Sequence, residues 1–176
     1  GELKENIAVG THHTNMGIQK ALEAKGIKLL RADIGDKYVM ELMLKTGAVI
    51  GGEQSGHIIL KKYATTGDGL LTAIMLSEEI CDSKSALSKL CADVILYPQC
   101  TVNVRVKDKN AVLTDEAVLT ETKNVEALIN GKGRVLLRQS GTEPVVRVMI
   151  ECEDKDKCAA YAQQIVDKIL EGGHGV

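Results

Sequence analysis

No tryptophan and no phenylalanine occur in this chain of 176 residues, and tyrosine occurs only four times, so the core has to be aliphatic. Net charge is close to balance at −2, which gives no electrostatic reason to expect DNA, RNA or an anionic membrane as partner. No apolar run approaches the roughly 18 residues of a membrane span, and the opening GELKENIAVG lacks the apolar core of a signal peptide. Proline occurs twice, and no repeat or low-complexity segment stands out. The five cysteines (81, 91, 100, 152 and 158) are odd in number and scattered, with no CxxC pair. That pattern predicts free thiols serving as small core hydrophobes in a reducing cytoplasm, and it argues against a zinc site.

What is present alternates between strand and helix signals. IAVG at 7–10 reads as a strand, and Ile18, Ala21 and Leu22 share a helical face that Gly26 closes. IKLLRADI is a second strand. Asp36 is placed to cap a helix with Val39, Met40, Met43 and Leu44 on one side and Gly47 at its end. AVIGG and HIILKK flank the loop EQSG, and TTGDG leads into a helix over 69–81 with Leu71, Ile74 and Met75 inward; Asp68 suits its N-cap. SKSALSKLCAD offers one more short helix, and a composition change near Asp93 sets a boundary between domains at 1–92 and 93–176. Beyond it, Val102, Val104 and Val106 alternate with polar residues, as in a half-buried antiparallel strand. A helix over 115–129 uses Val118, Val125, Leu128 and Ile129; RVLL at 134–137 and VVRVMIEC at 145–152 are strands; a last helix over 155–171 lines up Cys158, Ala162, Ile165, Val166 and Ile169. The tail GGHGV is expected to fray. The fold class is thus α/β followed by α+β: a layered βαβαββα domain, then a small βαββα domain whose mainly antiparallel sheet is covered by two helices.

Between the strands at 134–137 and 145–152 lies RQSGTEP. Arg138 and Arg147 carry rigid donor forks that match phosphate or carboxylate, Ser140 and Thr142 add hydroxyls, and Gly141 lets backbone amides approach an anion. The competing reading is a surface hairpin whose arginines pair with Glu143 and Glu151. In GGEQSGHI at 51–58, Glu53 can accept from two vicinal hydroxyls and Ser55 can donate or accept, a set suited to a sugar. His57 is either a hydrogen-bonded histidine at a strand start or a group that assists proton transfer at a sugar hydroxyl. His12 and His13 are adjacent in a segment read as extended, where they point opposite ways, so no metal site is assigned.

R-x-S-G-T-E-P-x-x-R-V-M at 138–149 resembles the phosphate-binding loop in the last domain of the α-D-phosphohexomutases, most closely their phosphoglucosamine mutase branch. GGEQSGHI followed by TTGDG resembles the sugar-binding loop of that superfamily's third domain, and GDKYV at 35–39 is similar to the GDRYV that accompanies it. Order and spacing agree over nearly the whole chain. Two departures stand out: THHTN where the family usually has TVMSN, and Gln139 where RPSGTEP is commoner.

The resemblance implies most of domain three and all of domain four. It implies an intramolecular phosphotransferase that interconverts glucosamine 6-phosphate and glucosamine 1-phosphate through a bisphosphate, for cell-wall precursors. Arg138, Ser140, Gly141, Thr142 and Arg147 would hold the phosphate that is not reacting, Glu53 and Ser55 the sugar hydroxyls, and His57 a proton. The last domain would turn about a hinge near 93–98. The family's phosphoserine and its DGDxDR magnesium loop are not found in these residues, so Mg²⁺ would be bound by a preceding domain and this part alone would be inactive. The expected partners are a phosphosugar and those N-terminal domains, with neither nucleic acid nor membrane. The alternatives are a phosphoglucomutase or phosphomannomutase, or a free-standing phosphate-binding module. An RNA-binding βαββα fold is disfavoured because such sheets stack bases on aromatic side chains that this one lacks.

Overall fold

The computed structural model describes residue 3 and residues 5–176. They pack as two units, the first ending at Leu96 and the second running Tyr97–Val176.

Unit one contains β1 (Ile7–Thr11), α1 (Met16–Ala24), β2 (Lys28–Ala32), α2 (Asp36–Thr46), β3 (Ile50–Gly52), β4 (Ile58–Leu60), α3 (Gly69–Ser83) and a short α4 (Leu87–Leu90). The sheet order is β2-β1-β3-β4, with β1 parallel to both neighbours and β4 antiparallel to β3. Val39 and Met43 of α2 are fully buried against Val9, Ala32 and Ile59. Gly51 makes that packing possible: a Cβ there would sit 2.6 Å from Met43 Sδ and 2.7 Å from Val39 Cγ1. The helix therefore lies directly on β3. On the opposite sheet face an apolar groove of about 410 Å³ runs between Ala8, Ile50 and Ile58 and the α1 residues Ile18 and Leu22.

Three expectations fail in this unit. Leu44 is 59% exposed and Ile74 51% exposed, and α3 buries no residue at all. The apolar stripe of α3 is broader than the sheet can cover, because α3 packs chiefly on the three-residue edge strand β4. Asp36 is not a cap either. Gly35 holds the N-cap position, and Asp36 is the first helical residue, with Oδ1 accepting from Lys37 N–H at 2.7 Å. Asp68 does cap α3, accepting from Leu71 N–H at 2.9 Å.

Unit two contains β5 (Gln99–Arg105), α5 (Lys109–Thr114), α6 (Glu116–Ile129), β6 (Gly133–Gln139), β7 (Val145–Cys152) and α7 (Lys155–Glu171). The sheet is antiparallel with order β5-β7-β6, so β7 is central. Val146, Val148 and Ile150 on its inner face meet Val118 and Val125 of α6 and Ile165 and Ile169 of α7, all fully buried. The helix expected from residue 115 is α6. A separate α5 precedes it because Asp108 and Asp115 each cap a helix of their own, with side chains accepting from the next turn's amides. Leu128, expected inward, is 59% exposed: α6 turns Val125 and Ile129 to the core and leaves Leu128 beside them facing out.

Two further corrections fall here. Cys152 and Cys158 are joined as a disulfide, not free. The β7–α7 turn brings their Cα atoms to 5.9 Å, a proximity that a spacing of six residues does not advertise. Cys81 and Cys91 are free but exposed, so they are not core residues. The tail is also tied down. Lys107 N–H donates to His174 O at 3.0 Å, Gly175 bridges to Val106, and His174 Nε2 donates to Asp115 Oδ2 at 2.8 Å. The open edge of β5 offers backbone groups that the tail can pair with. Among the described residues no helix is long and apolar enough to cross a membrane.

These contacts set two outcomes. Ile165→Ala should lower the stability of unit two by about 2–5 kcal/mol in urea unfolding, whereas Leu128→Ala should change it by less than about 0.5 kcal/mol. The Asp115 carboxyl is held below its ordinary pKa of 3.8, first by the hydrogen bond from His174 and then by the Val118 amide. Because the folded pKa is the lower one, this contribution is complete above pH 3.8 and is lost as pH falls through the folded value. Thermal melts of wild type and Asp115→Asn should therefore converge as pH drops below that range and separate above it.

Candidate functional site

The antiparallel register of β6 and β7 sets Arg138 directly opposite Arg147. Asn103 on β5 faces Arg147 from the other side, so one row across three strands reads Asn103, Arg147, Arg138. Like charges placed directly opposite repel, and the Arg138 guanidinium is drawn below its ordinary pKa, first by burial and second by the Arg147 charge. Arg147 Nε is buried and makes no hydrogen bond among the described residues. A buried donor without an acceptor is costly, and two opposed guanidinium groups relieve both penalties when an anion sits with them.

The loop between these strands closes on itself. Ser140 is 3% exposed, its N–H donates to Val145 O at 2.9 Å, and its Oγ accepts from Glu143 N–H at 3.3 Å. The hydroxyl proton of Ser140 remains available for donation. Gly141 and Thr142 form the exposed tip, and among the described residues their amides make no hydrogen bond. Glu143 turns aside to Arg147, with Oε2 at 3.4 Å from Nη2. The surface-hairpin reading is thus half met, since Glu143 does pair with an arginine. Glu151 pairs elsewhere: it is fully buried, bonded by Arg134 Nε and by Gln99 Nε2. That leaves Arg138 without a carboxylate partner among the described residues.

In unit one the β3–β4 hairpin carries Glu53, Ser55 and His57 at its tip, closed by Glu53 N–H to His57 O at 3.0 Å. Glu53 Oε1 accepts from Gly35 N–H at 2.9 Å, which anchors the tip to the loop before α2. Thr66 Oγ1 donates to Asp36 Oδ2 at 3.1 Å, and His57 lies against Gly67, where a Cβ would come within 3.2 Å of it. The three segments GDKYV, EQSGH and TTGDG, distant in sequence, therefore converge. Ser55 Oγ and His57 Nδ1 are 3.0 Å apart, within hydrogen-bonding distance. All of this lies at the carboxyl ends of β1, β2 and β3, the usual place for ligands in open α/β sheets.

His12 and His13 follow β1 in a turn, not in an extended segment, and His12 Nε2 lies 3.5 Å from Asp33 Oδ1. Among the described residues no group of three or more His, Cys, Asp or Glu could hold a metal. Sequence pattern missed three contributors: Asn103, the Gly35 amide and Lys109, whose Nζ donates to Ser140 O at 2.8 Å. Only strand register could have pointed to Asn103, and nothing local points to Lys109.

Residues 1–97 match the family described as phosphoglucomutase/phosphomannomutase, alpha/beta/alpha domain III, and residues 102–168 match the phosphoglucomutase/phosphomannomutase C-terminal domain. The phosphoglucosamine mutase of Staphylococcus carnosus is 49% identical over 97% of this chain, which spans 38% of that protein's length. Two solved structures of the N-acetylphosphoglucosamine mutase of Aspergillus fumigatus, the second in complex with GlcNAc-6P and magnesium, give TM-scores of 0.81 and 0.73. Each covers 97% of this chain, and the chain covers 39% and 40% of theirs; at 16% and 14% identity the likeness shows the fold alone.

The opposed arginines make a prediction that needs no ligand. Arg138→Gln should raise stability at low ionic strength by about 0.2–1 kcal/mol, by removing the cross-strand repulsion. The gain should shrink as salt screens the wild-type pair, which melts at low and high sodium chloride would register.

Proposed function

The chain belongs to the phosphoglucomutase/phosphomannomutase family, and on that premise we propose that its two units are the substrate-holding part of a phosphoglucosamine mutase. The reaction would interconvert glucosamine 6-phosphate and glucosamine 1-phosphate through a 1,6-bisphosphate. The observation that carries this reading is the Arg138–Arg147 pair, with an Arg147 Nε and loop-tip amides that find no partner among the described residues. Identity of 49% to a phosphoglucosamine mutase supports the choice of sugar over the phosphoglucomutase and phosphomannomutase alternatives.

In this reading the unit-two loop grips the phosphate that is not reacting. Arg138 and Arg147 supply charge-assisted bonds, Gly141 and Thr142 supply backbone N–H groups, and the hydroxyls of Ser140 and Thr142 complete the cradle. Glu143 steadies Arg147 and keeps its own charge to one side. In unit one, Glu53 holds its place through Gly35 and keeps its second carboxylate oxygen for sugar hydroxyls, with Ser55 as a second contact. His57, steadied by Ser55 and Gly67, would move a proton at a sugar hydroxyl. Binding energy spent on the non-reacting end orients the other end for transfer. The transferring phosphoryl group and the Mg²⁺ chemistry would belong to other domains of such an enzyme, with a cytoplasmic setting to match the substrate.

The test is an NMR titration of this chain with glucosamine 6-phosphate, with inorganic phosphate and glucosamine as partial ligands. Shifts should appear at 138–147 with either phosphate compound and at 53–57 only with the sugar. Arg138→Ala or Arg147→Ala should weaken phosphate binding about 10- to 100-fold, the loss expected for one charge-assisted contact of about 1.5–3 kcal/mol. Absence of any response at millimolar phosphate would overturn the reading.

A further inference from the structure

Lys109 lies outside the loop that the arginines flank, at the first helical position of α5 after its Asp108 cap. Its Nζ donates to Ser140 O at 2.8 Å and reaches Glu143 O at 3.4 Å. These are the carbonyls of the first and last residues of the SGTE turn. One ammonium therefore spans the back of the loop.

The consequence follows from peptide geometry. A trans peptide is planar, so the Ser140 C=O and the Gly141 N–H, which share one peptide unit, point in opposite directions. Fixing Ser140 O on Lys109 aims the Gly141 N–H away from Lys109. The Glu143 carbonyl belongs to the peptide of Pro144, which has no N–H, so holding it costs the loop no donor. Among the described residues no carboxylate pairs with Lys109, so its charge is left to act on the loop together with those of Arg138 and Arg147.

We propose that Lys109 is a positioning residue of the anion site: it presets the Gly141 amide for phosphate without touching the phosphate itself. The proposal rests on the phosphate-binding reading of the loop. It adds a device that the loop sequence does not contain, one that couples the site to the β5–α5 junction.

The test uses this chain with inorganic phosphate as probe, read by amide shifts of residues 140–143. Lys109→Met keeps most of the stem and removes the donor; Lys109→Arg returns a donor and the charge. Lys107→Met removes the same charge two positions away, where the ammonium bonds Gly173 O and not the loop. In Lys109→Met the Gly141 amide should shift before any phosphate is added, and phosphate binding should weaken about tenfold, as for one lost hydrogen bond to a charged group. Lys109→Arg should recover most of that loss, and Lys107→Met should show a small, salt-sensitive weakening with the Gly141 amide unmoved. Equal binding by Lys109→Met and Lys107→Met, or an unmoved Gly141 amide in Lys109→Met, overturns the proposal while the phosphate reading stands. A wild type that does not respond to phosphate overturns both. Unchanged amide dispersion elsewhere in the spectrum of Lys109→Met shows that the variant has folded.

Discussion

Two guanidinium groups face each other across the β6–β7 pair, and much of unit two is arranged around holding them there. Arg138 and Arg147 are opposed because the register is set by the inner face, where Val146 and Val148 are fully buried among the α6 and α7 side chains. A slip of one residue would turn those valines outward, so the hydrophobic core enforces an electrostatically unfavourable pairing. That imbalance, together with a buried arginine nitrogen lacking an acceptor among the described residues, is the ground on which an anion site is proposed here.

The surroundings of the pair keep other carboxylates from quenching it. Glu151, four residues beyond Arg147 on the same strand face, is buried and occupied by Arg134 and Gln99 from the flanking strands. Glu143 contacts Arg147 only at its outer nitrogen. Behind the loop, Lys109 Nζ engages the Ser140 and Glu143 carbonyls. The C-terminal residues add to the same framework: they pair with the backbone at Lys107 and Val106, just before α5, and place His174 on the cap of α6.

Unit one builds its cluster by a different constraint. The missing side chain at Gly51 lets α2 rest on β3, which carries the hairpin tip and the Gly35 loop to the same end of the sheet. Glu53 then ties the two together through a single backbone amide. Here backbone spacing positions the polar groups, and side-chain charge has little part in it.

The chain of elements was legible in the amino-acid order because period-two and helical patterns record which face of each element is apolar. Val104 and Val106, Val39 and Met43, and the inner face of α7 follow that record. Glu53, Ser55, His57 and the 138–147 residues are legible as candidates by residue type and resemblance, and their roles are proposals. Pattern alone could not say how much of a stripe finds a partner, so Leu44, Ile74 and Leu128 were misplaced. Nor could it show the Cys152–Cys158 pairing, the docked tail, the opposition of Arg138 to Arg147 or the reach of Lys109. Local sequence determined the elements and the chemical character of their loops, because dihedral preference and amphipathic period are properties of neighbouring residues. Tertiary structure decided which charges confront one another and which carbonyls are held, because those depend on strand register and on contacts between residues far apart in the chain.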